Sequence, residues 1–177
     1  MKGYVCRVCQ FISINGSTPD KTPPLDPSFK RNRRVYPLGL KELGGSIPVD
    51  KCPVCGAPKS AFEEKEDAIK TPAEPNNLTE LEKKHIPVIK IVKTCDLIPE
   101  GCQDVHAKMG EIQHPMQPEH YIMHIDFYID KEFISRVHLT PEKLNPAAAL
   151  HLKATSGRLS VIELCNLHGA WIQEQNL

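Results

Sequence analysis

The chain has 177 residues, and 22 Lys and Arg balance 22 Asp and Glu, so the formal net charge is zero. Apolar residues make up 40% and charged residues 25%, which excludes a dominantly disordered chain, a collagen and a long coiled coil. With no basic excess to neutralise phosphates and no run near the ~18 apolar residues of a membrane span, neither nucleic acid nor a membrane is expected as a partner. Met1–Gln10 has no apolar leader core, and the cytosol is the expected compartment. Residues 1–84 carry 14 basic against 11 acidic side chains and residues 85–177 carry 8 against 11, a weak asymmetry that suggests two modules.

In chain order, the first feature is Cys6-Arg-Val-Cys9. A proline-rich stretch follows, with the basic run Lys30-Arg31-Asn32-Arg33-Arg34, read as a solvated loop. Cys52-Pro-Val-Cys55-Gly56 comes next. Residues 63–84 are charged and punctuated by Pro72 and Pro75, which reads as a linker. Within it a short helix is expected near Thr79, whose side chain can cap Glu80 to Lys83. Beyond it the period is two: Tyr121, Met123, Ile125, Phe127 and Ile129 are apolar and define a core face. Residues 86–92, 132–139, 148–154 and 159–164 read as further strands, separated by Pro and Gly, and the pattern is that of an antiparallel sandwich.

The two CxxC pairs carry the first chemistry. Each turn sets two sulfurs on one side of a tight loop, and two facing turns make a tetrahedral sulfur site. Spacing alone leaves zinc and iron both open, although the 42 intervening residues exceed a usual zinc-ribbon gap. The stretches around Cys6 and Cys9 and from Cys52 to Glu63 resemble a rubredoxin, with Pro53 between the cysteines and Phe62 beyond them. The resemblance implies a one-electron iron centre held by four cysteines. Gln10 stands where rubredoxins usually carry Gly, and residues 13–46 are partly an insertion.

All eight histidines fall in residues 85–177. Four have unusual settings: His85-Ile-Pro, His114-Pro-Met, Glu119-His120-Tyr, and His168 in Cys165-Asn-Leu-His168-Gly. Imidazole suits iron, copper and zinc, and one thiolate adds strong electron donation. In this order the motifs resemble the superoxide reductases, the desulfoferrodoxin and neelaredoxin family, from about His85 to Trp171. The resemblance implies a mononuclear iron with His85, His114, His120 and His168 as equatorial imidazoles, Cys165 as axial thiolate, and an open sixth position for superoxide. It implies an immunoglobulin-like sandwich and places Lys84 at the family's functional lysine. Lys83 stands where the family's closing glutamate is usual, and Glu82 is one residue too early.

The expectation is thus a mainly β protein. A rubredoxin-like domain spans 1–62, a linker 63–84, and an immunoglobulin-like antiparallel β-sandwich 85–177. The expected activity is reduction of superoxide to hydrogen peroxide, with the iron of the four-cysteine site as relay and an external rubredoxin or its reductase as donor. A homo-oligomer is allowed. The alternative is a non-enzymatic iron electron carrier or redox sensor. His124 and His138 read as surface or satisfied structural residues, Trp171 as a shield of Cys165 or a core residue, and Cys95 and Cys102 as free thiols rather than a disulfide.

Overall fold

The computed structural model describes residues 1–14, 51–95, 97, 98 and 100–177. The basic run at 30–34 and nearly all of the insertion at 13–46 lie outside the described residues. The described residues form three β-sheets and their connections. Strands β1 (Gly3–Cys6), β2 (Ile12–Ser13) and β3 (Phe62–Lys65) form a small sheet of order β2-β1-β3. Ile69–Lys70 is β4, and Glu80–His85 is the helix α1. Seven strands follow: β5 (Pro87–Val92), β6 (Gln103–Met109), β7 (Ile122–Ile129), β8 (Glu132–His138), β9 (Ala147–Leu152), β10 (Arg158–Cys165) and β11 (Gly169–Asn176). They build a sheet of order β5-β6-β9 and a sheet of order β4-β11-β10-β7-β8.

The two larger sheets enclose the main core. Val105, Ala107 and Met109 of β6 meet Ile122, Ile125 and Phe127 of β7, with Leu159, Val161 and Cys165 of β10. The period-two pattern picks out Ile125, Phe127 and Ile129 on this face, whereas Met123 packs on the opposite face and Ile122 lies in the main core in its stead. The opposite face is covered too: Ile162, Leu164 and Tyr128 pack against Val5, Cys6, Phe11, Ile12 and Cys52. The first module therefore lies on the five-stranded sheet. Phe11 stacks on Tyr128 at 6.1 Å and meets Phe133 edge-on at 5.2 Å.

The polar positions of β7 are consequently interior. Asp126 is 1% exposed and takes Arg136 as a bidentate partner, Nε to Oδ1 and Nη2 to Oδ2, each at 2.6 Å. Arg136 Nη1 donates to the Cys9 carbonyl at 2.6 Å, and the Tyr128 hydroxyl donates to the Ile12 carbonyl at 2.8 Å. His124 is also buried, as the structural reading allows, and burial with the nearby Arg136 charge lowers it to about 3. His138 is exposed.

The stretch 63–84 holds more structure than a linker reading expects. Glu63–Lys65 belongs to β3, paired along β1. Ile69, an isolated apolar residue in a charged run, is 1% exposed, and β4 joins the edge of the large sheet parallel to β11. That parallel pairing departs from the all-antiparallel expectation. Burial of one isoleucine side chain, worth about 1.5–3 kcal/mol, is enough to recruit so short a strand. The expected helix is α1. Thr79 Oγ1 accepts from the Glu82 amide, and Glu82 reaches back to the Thr79 amide at 2.8 Å, a complete capping box. Among the described residues no helix is long and apolar enough to cross a membrane.

Removing the Arg136 side chain leaves Asp126 buried without its partner, which costs about 3–5 kcal/mol in such pairs. Arg136→Ala is expected to lower the urea midpoint accordingly, and a loss under about 1 kcal/mol would show that the pair does not hold the modules together.

Candidate metal centres

Four sulfurs converge where the first module meets the sheet. Cys6 Sγ lies 3.7 Å from Cys55 Sγ, and Cys9 Sγ 3.5 Å from Cys52 Sγ. These are far beyond a disulfide and close to the ~3.8 Å edge of a tetrahedron built on metal–sulfur bonds of about 2.3 Å. The two loops close alike. The Gln10 amide donates to the Cys6 carbonyl and the Cys6 amide to the Phe11 carbonyl. The Gly56 amide donates to the Cys52 carbonyl and the Cys52 amide to the Ala57 carbonyl. Gly56 has φ +71° and Gln10 has φ +58°. The turn that lacks glycine thus keeps its shape, at the steric cost of a left-handed glutamine. Burial, with the neighbouring sulfurs, pushes the Cys9 and Cys52 thiols above the usual thiol range. A bound cation offsets that penalty.

The second convergence is built by a hairpin tip, the connection between β6 and β7, and a helix end. Cys165 closes β10, and a shift in the β7–β10 register between Leu164 and Cys165 re-aims its side chain. Asn166, Leu167 and His168 make a three-residue loop that ends at Gly169 in the left-handed region, φ +76°. The amides of Leu167 and His168 point at the Cys165 sulfur and counter the rise in its pKa that burial causes. His85 is the last residue of α1. The chain there is clasped by the 110–114 turn: Ile112 donates to the Lys83 carbonyl and Gly110 to the Ile86 carbonyl. Gly110 has φ +80°, and a Cβ on it would overlap the Lys84 and Ile112 carbonyls, so only glycine fits. The same turn delivers His114, whose amide donates to the Met109 carbonyl.

The four imidazoles form a square. Adjacent ring centroids, in the order His85, His114, His120, His168, lie 4.5–4.8 Å apart with planes 74–83° apart, and His85 faces His120 across the diagonal at 6.1 Å. His85 Nε2 lies 3.1 Å from both His114 Nε2 and His168 Nδ1. Half the diagonal of a square with that edge is about 2.2 Å, a metal–imidazole bond length. His85 Nδ1 donates to the Leu81 carbonyl at 2.7 Å and His114 Nδ1 to the Pro115 carbonyl at 2.6 Å, which turns both Nε2 lone pairs inward. His120 Nε2 is buried with no hydrogen-bond partner. Cys165 Sγ stands 3.6 Å from His168 Nδ1. All five donor atoms lie within 4.8 Å of one another, and no carboxylate joins them among the described residues.

Electrostatics suit a cation. Burial lowers His85 and His114 to about 4, and His120 falls for the same reason, so these rings are neutral and their lone pairs free at neutral pH. The orphaned Nε2, the inward lone pairs and the single thiol fit a metal ion.

The nine cysteine and histidine side chains singled out in the sequence thus fall into two clusters, with none left outside. Trp171 is buried and lies tilted against His85, ring centroids 5.4 Å and planes 31° apart. Glu82 is taken elsewhere, accepting from Ala73 N, Thr79 N and Thr79 Oγ1 at 2.8–2.9 Å. Lys83 lies near Glu80, Nζ to Oε1 3.7 Å. Sequence reading passes over Glu163, fully buried two residues before Cys165, with neither oxygen partnered. Burial holds its carboxyl well above the usual carboxylate range. Its only sequence signal is a charge inside an apolar strand.

Residues 77–174 match the family model described as Desulfoferrodoxin, more than half of the chain. The chain belongs to the desulfoferrodoxin family. A superoxide reductase of Pyrococcus horikoshii is 33% identical over 105 residues, covering 53% of this chain and 87% of that protein. A desulfoferrodoxin homolog of Archaeoglobus fulgidus is 32% identical over 131 residues, 71% of this chain and 94% of that protein. Among solved structures, the superoxide reductase from Nanoarchaeum equitans is 28% identical, covers 62% of this chain and 99% of that chain, and has a TM-score of 0.49.

Replacing Gln10 by glycine removes the left-handed strain without touching a sulfur. Gln10→Gly is expected to stabilise the protein by about 0.5–1 kcal/mol in denaturant titration, whereas destabilisation would mean that the glutamine side chain holds the loop.

Proposed function

We propose that the chain is a superoxide reductase, which converts superoxide, one electron and two protons to hydrogen peroxide. The active iron is held by His85, His114, His120, His168 and Cys165. A second iron, held by Cys6, Cys9, Cys52 and Cys55, relays electrons from an external rubredoxin or its reductase in the cytosol. The observation that carries this reading is the square of four imidazoles backed by one buried thiol, in a chain of this family.

Iron bound there supplies the one-electron chemistry. The residues supply the rest. Thiolate donation from Cys165 favours giving up the electron, and the Leu167 and His168 amides hold that sulfur in place. The four rings surround one point, which leaves the side opposite the sulfur for a small ligand. Lys84 lies beside the site near the end of α1, and its charge is felt at His120. A cation in that position draws in an anion and raises the encounter rate. With Glu82 held in the helix cap and Lys83 directed to Glu80, no carboxylate among the described residues joins the histidine square, unlike the family pattern with its glutamate at the Lys83 position.

The deciding experiment is metal analysis and visible spectroscopy of anaerobically purified protein, with pulse-generated superoxide followed by stopped flow. Two irons and rapid, stoichiometric peroxide formation are expected; zinc in the four-cysteine site would end the relay, and iron without reaction would leave only an electron carrier. Cys165→Ser should abolish the sulfur-to-iron band and slow turnover. Cys52→Ser should spare the first turnover and slow re-reduction.

A separate outcome tests the steering charge. Lys84→Ala is expected to slow the bimolecular step by roughly threefold to tenfold at low salt and to flatten its ionic-strength dependence. An unchanged rate across salt concentrations would remove Lys84 from the approach of superoxide.

A further inference from the structure

A third group of donor atoms converges away from both centres. The β5–β6 hairpin loop leaves β5 after Val92 and re-enters the sheet at Gln103, and it carries Cys95 and Cys102. Asp104 is the second residue of β6, and His151 lies directly across from it on β9. Neighbouring antiparallel residues point to the same face, so the loop thiols fold down onto a carboxylate and an imidazole already side by side.

The distances are close. Cys95 Sγ lies 3.2 Å from His151 Nδ1, Cys102 Sγ 3.8 Å from the same nitrogen, and Asp104 Oδ1 2.8 Å from it. Cys102 Sγ and Asp104 Oδ1 are 3.8 Å apart. The four donor atoms lie within 4.8 Å of one another. An aspartate–histidine hydrogen bond accounts for one of these contacts. It does not account for two sulfurs turned to the same ring nitrogen, which can hold only one proton. His85 Nε2 shows the same crowding at the imidazole square. The Ile98 amide donates to Cys95 Sγ at 3.4 Å, three residues on, and holds that sulfur in place.

We propose that Cys95, Cys102, Asp104 and His151 form a zinc site. Bonds of about 2.3 Å to sulfur and 2.0–2.1 Å to nitrogen and oxygen set tetrahedral edges of about 3.3–3.8 Å. Both Cys102 spacings, at 3.8 Å, match that range, and the contacts of His151 Nδ1 with Cys95 Sγ at 3.2 Å and Asp104 Oδ1 at 2.8 Å are shorter, as direct hydrogen bonds are. Two soft thiolates with one imidazole and one carboxylate select zinc over magnesium or calcium, and four protein donors leave no open position for chemistry. On binding, zinc displaces the protons of both thiols and closes the hairpin loop onto β6 and β9. Its role is structural. The site lies at the end of β5 opposite His85, about 20 Å away at the rise of a strand, so it is separable from the reaction with superoxide.

The test uses the full chain, iron-loaded and kept reduced and anaerobic. Titration with zinc alone is expected to add one tightly held zinc per chain beyond two irons. Cobalt in its place should give an intense sulfur-to-cobalt band and tetrahedral visible bands. Cys95→Ser/Cys102→Ser should lose that equivalent while keeping both iron spectra and the superoxide rate, which also reports that the fold is intact. If the double variant loses its irons, His151→Gln, with both thiols retained, provides the same comparison. Four results overturn the proposal: no third metal with two titratable thiols, a Cys95–Cys102 disulfide by mass spectrometry under these conditions, zinc retained by the variants, or a third iron in place of zinc.

Discussion

Arg136 brings a guanidinium into a layer that water does not reach, and the two modules share it. Two of its nitrogens satisfy Asp126 on the central strand β7, and the third holds the carbonyl of Cys9 in the first cysteine loop. A buried charge is tolerated only where its donors are matched, so this arrangement sets position as well as attachment. Tyr128 repeats the pattern with the Ile12 carbonyl. Asp126 and Tyr128 of β7 therefore face an interface, and the five-stranded sheet has two buried faces where a lone sandwich needs one.

The histidine square depends on backbone geometry in a comparable way. None of its five side chains comes from the middle of a strand. They sit at a helix end, a turn, a loop and a hairpin tip, held by Gly110, Gly169 and the register shift before Cys165. Strand ends fix direction while loops permit the close approach that converging donors need. The capping box of α1 contributes at a distance, since a frayed first turn would let His85 drift from its Leu81 carbonyl.

Much of this was legible in the residues. Paired CxxC turns announce a sulfur site because two sulfurs three apart can share one ion, and the ordered histidine motifs carry the second site. Strand β7 was legible from its alternation, and α1 from Thr79. Other features were not. β6 alternates through Ala107 and Val105, small side chains that give a weak signal, and β11 ends in polar residues. β4 hangs on Ile69 alone. The burial of Asp126 depends on a module more than 100 residues earlier in the chain, which no local pattern contains. The grouping of Cys95 with His151 likewise needs the β6–β9 register.

Strand β4 has one more consequence. A sheet ending in β11 would present open amides and carbonyls at Ala170 and Trp171, beside an apolar surface, and unpaired edges of that kind recruit other chains. The two residues of β4 cover that stretch, and Lys70 adds a charge whose ammonium sits 5.5 Å from the Trp171 ring. The segment joining the modules thus acts as a guard against edge-to-edge aggregation. It also lies against the tryptophan that backs His85, so shortening it trades solubility and metal-site order together.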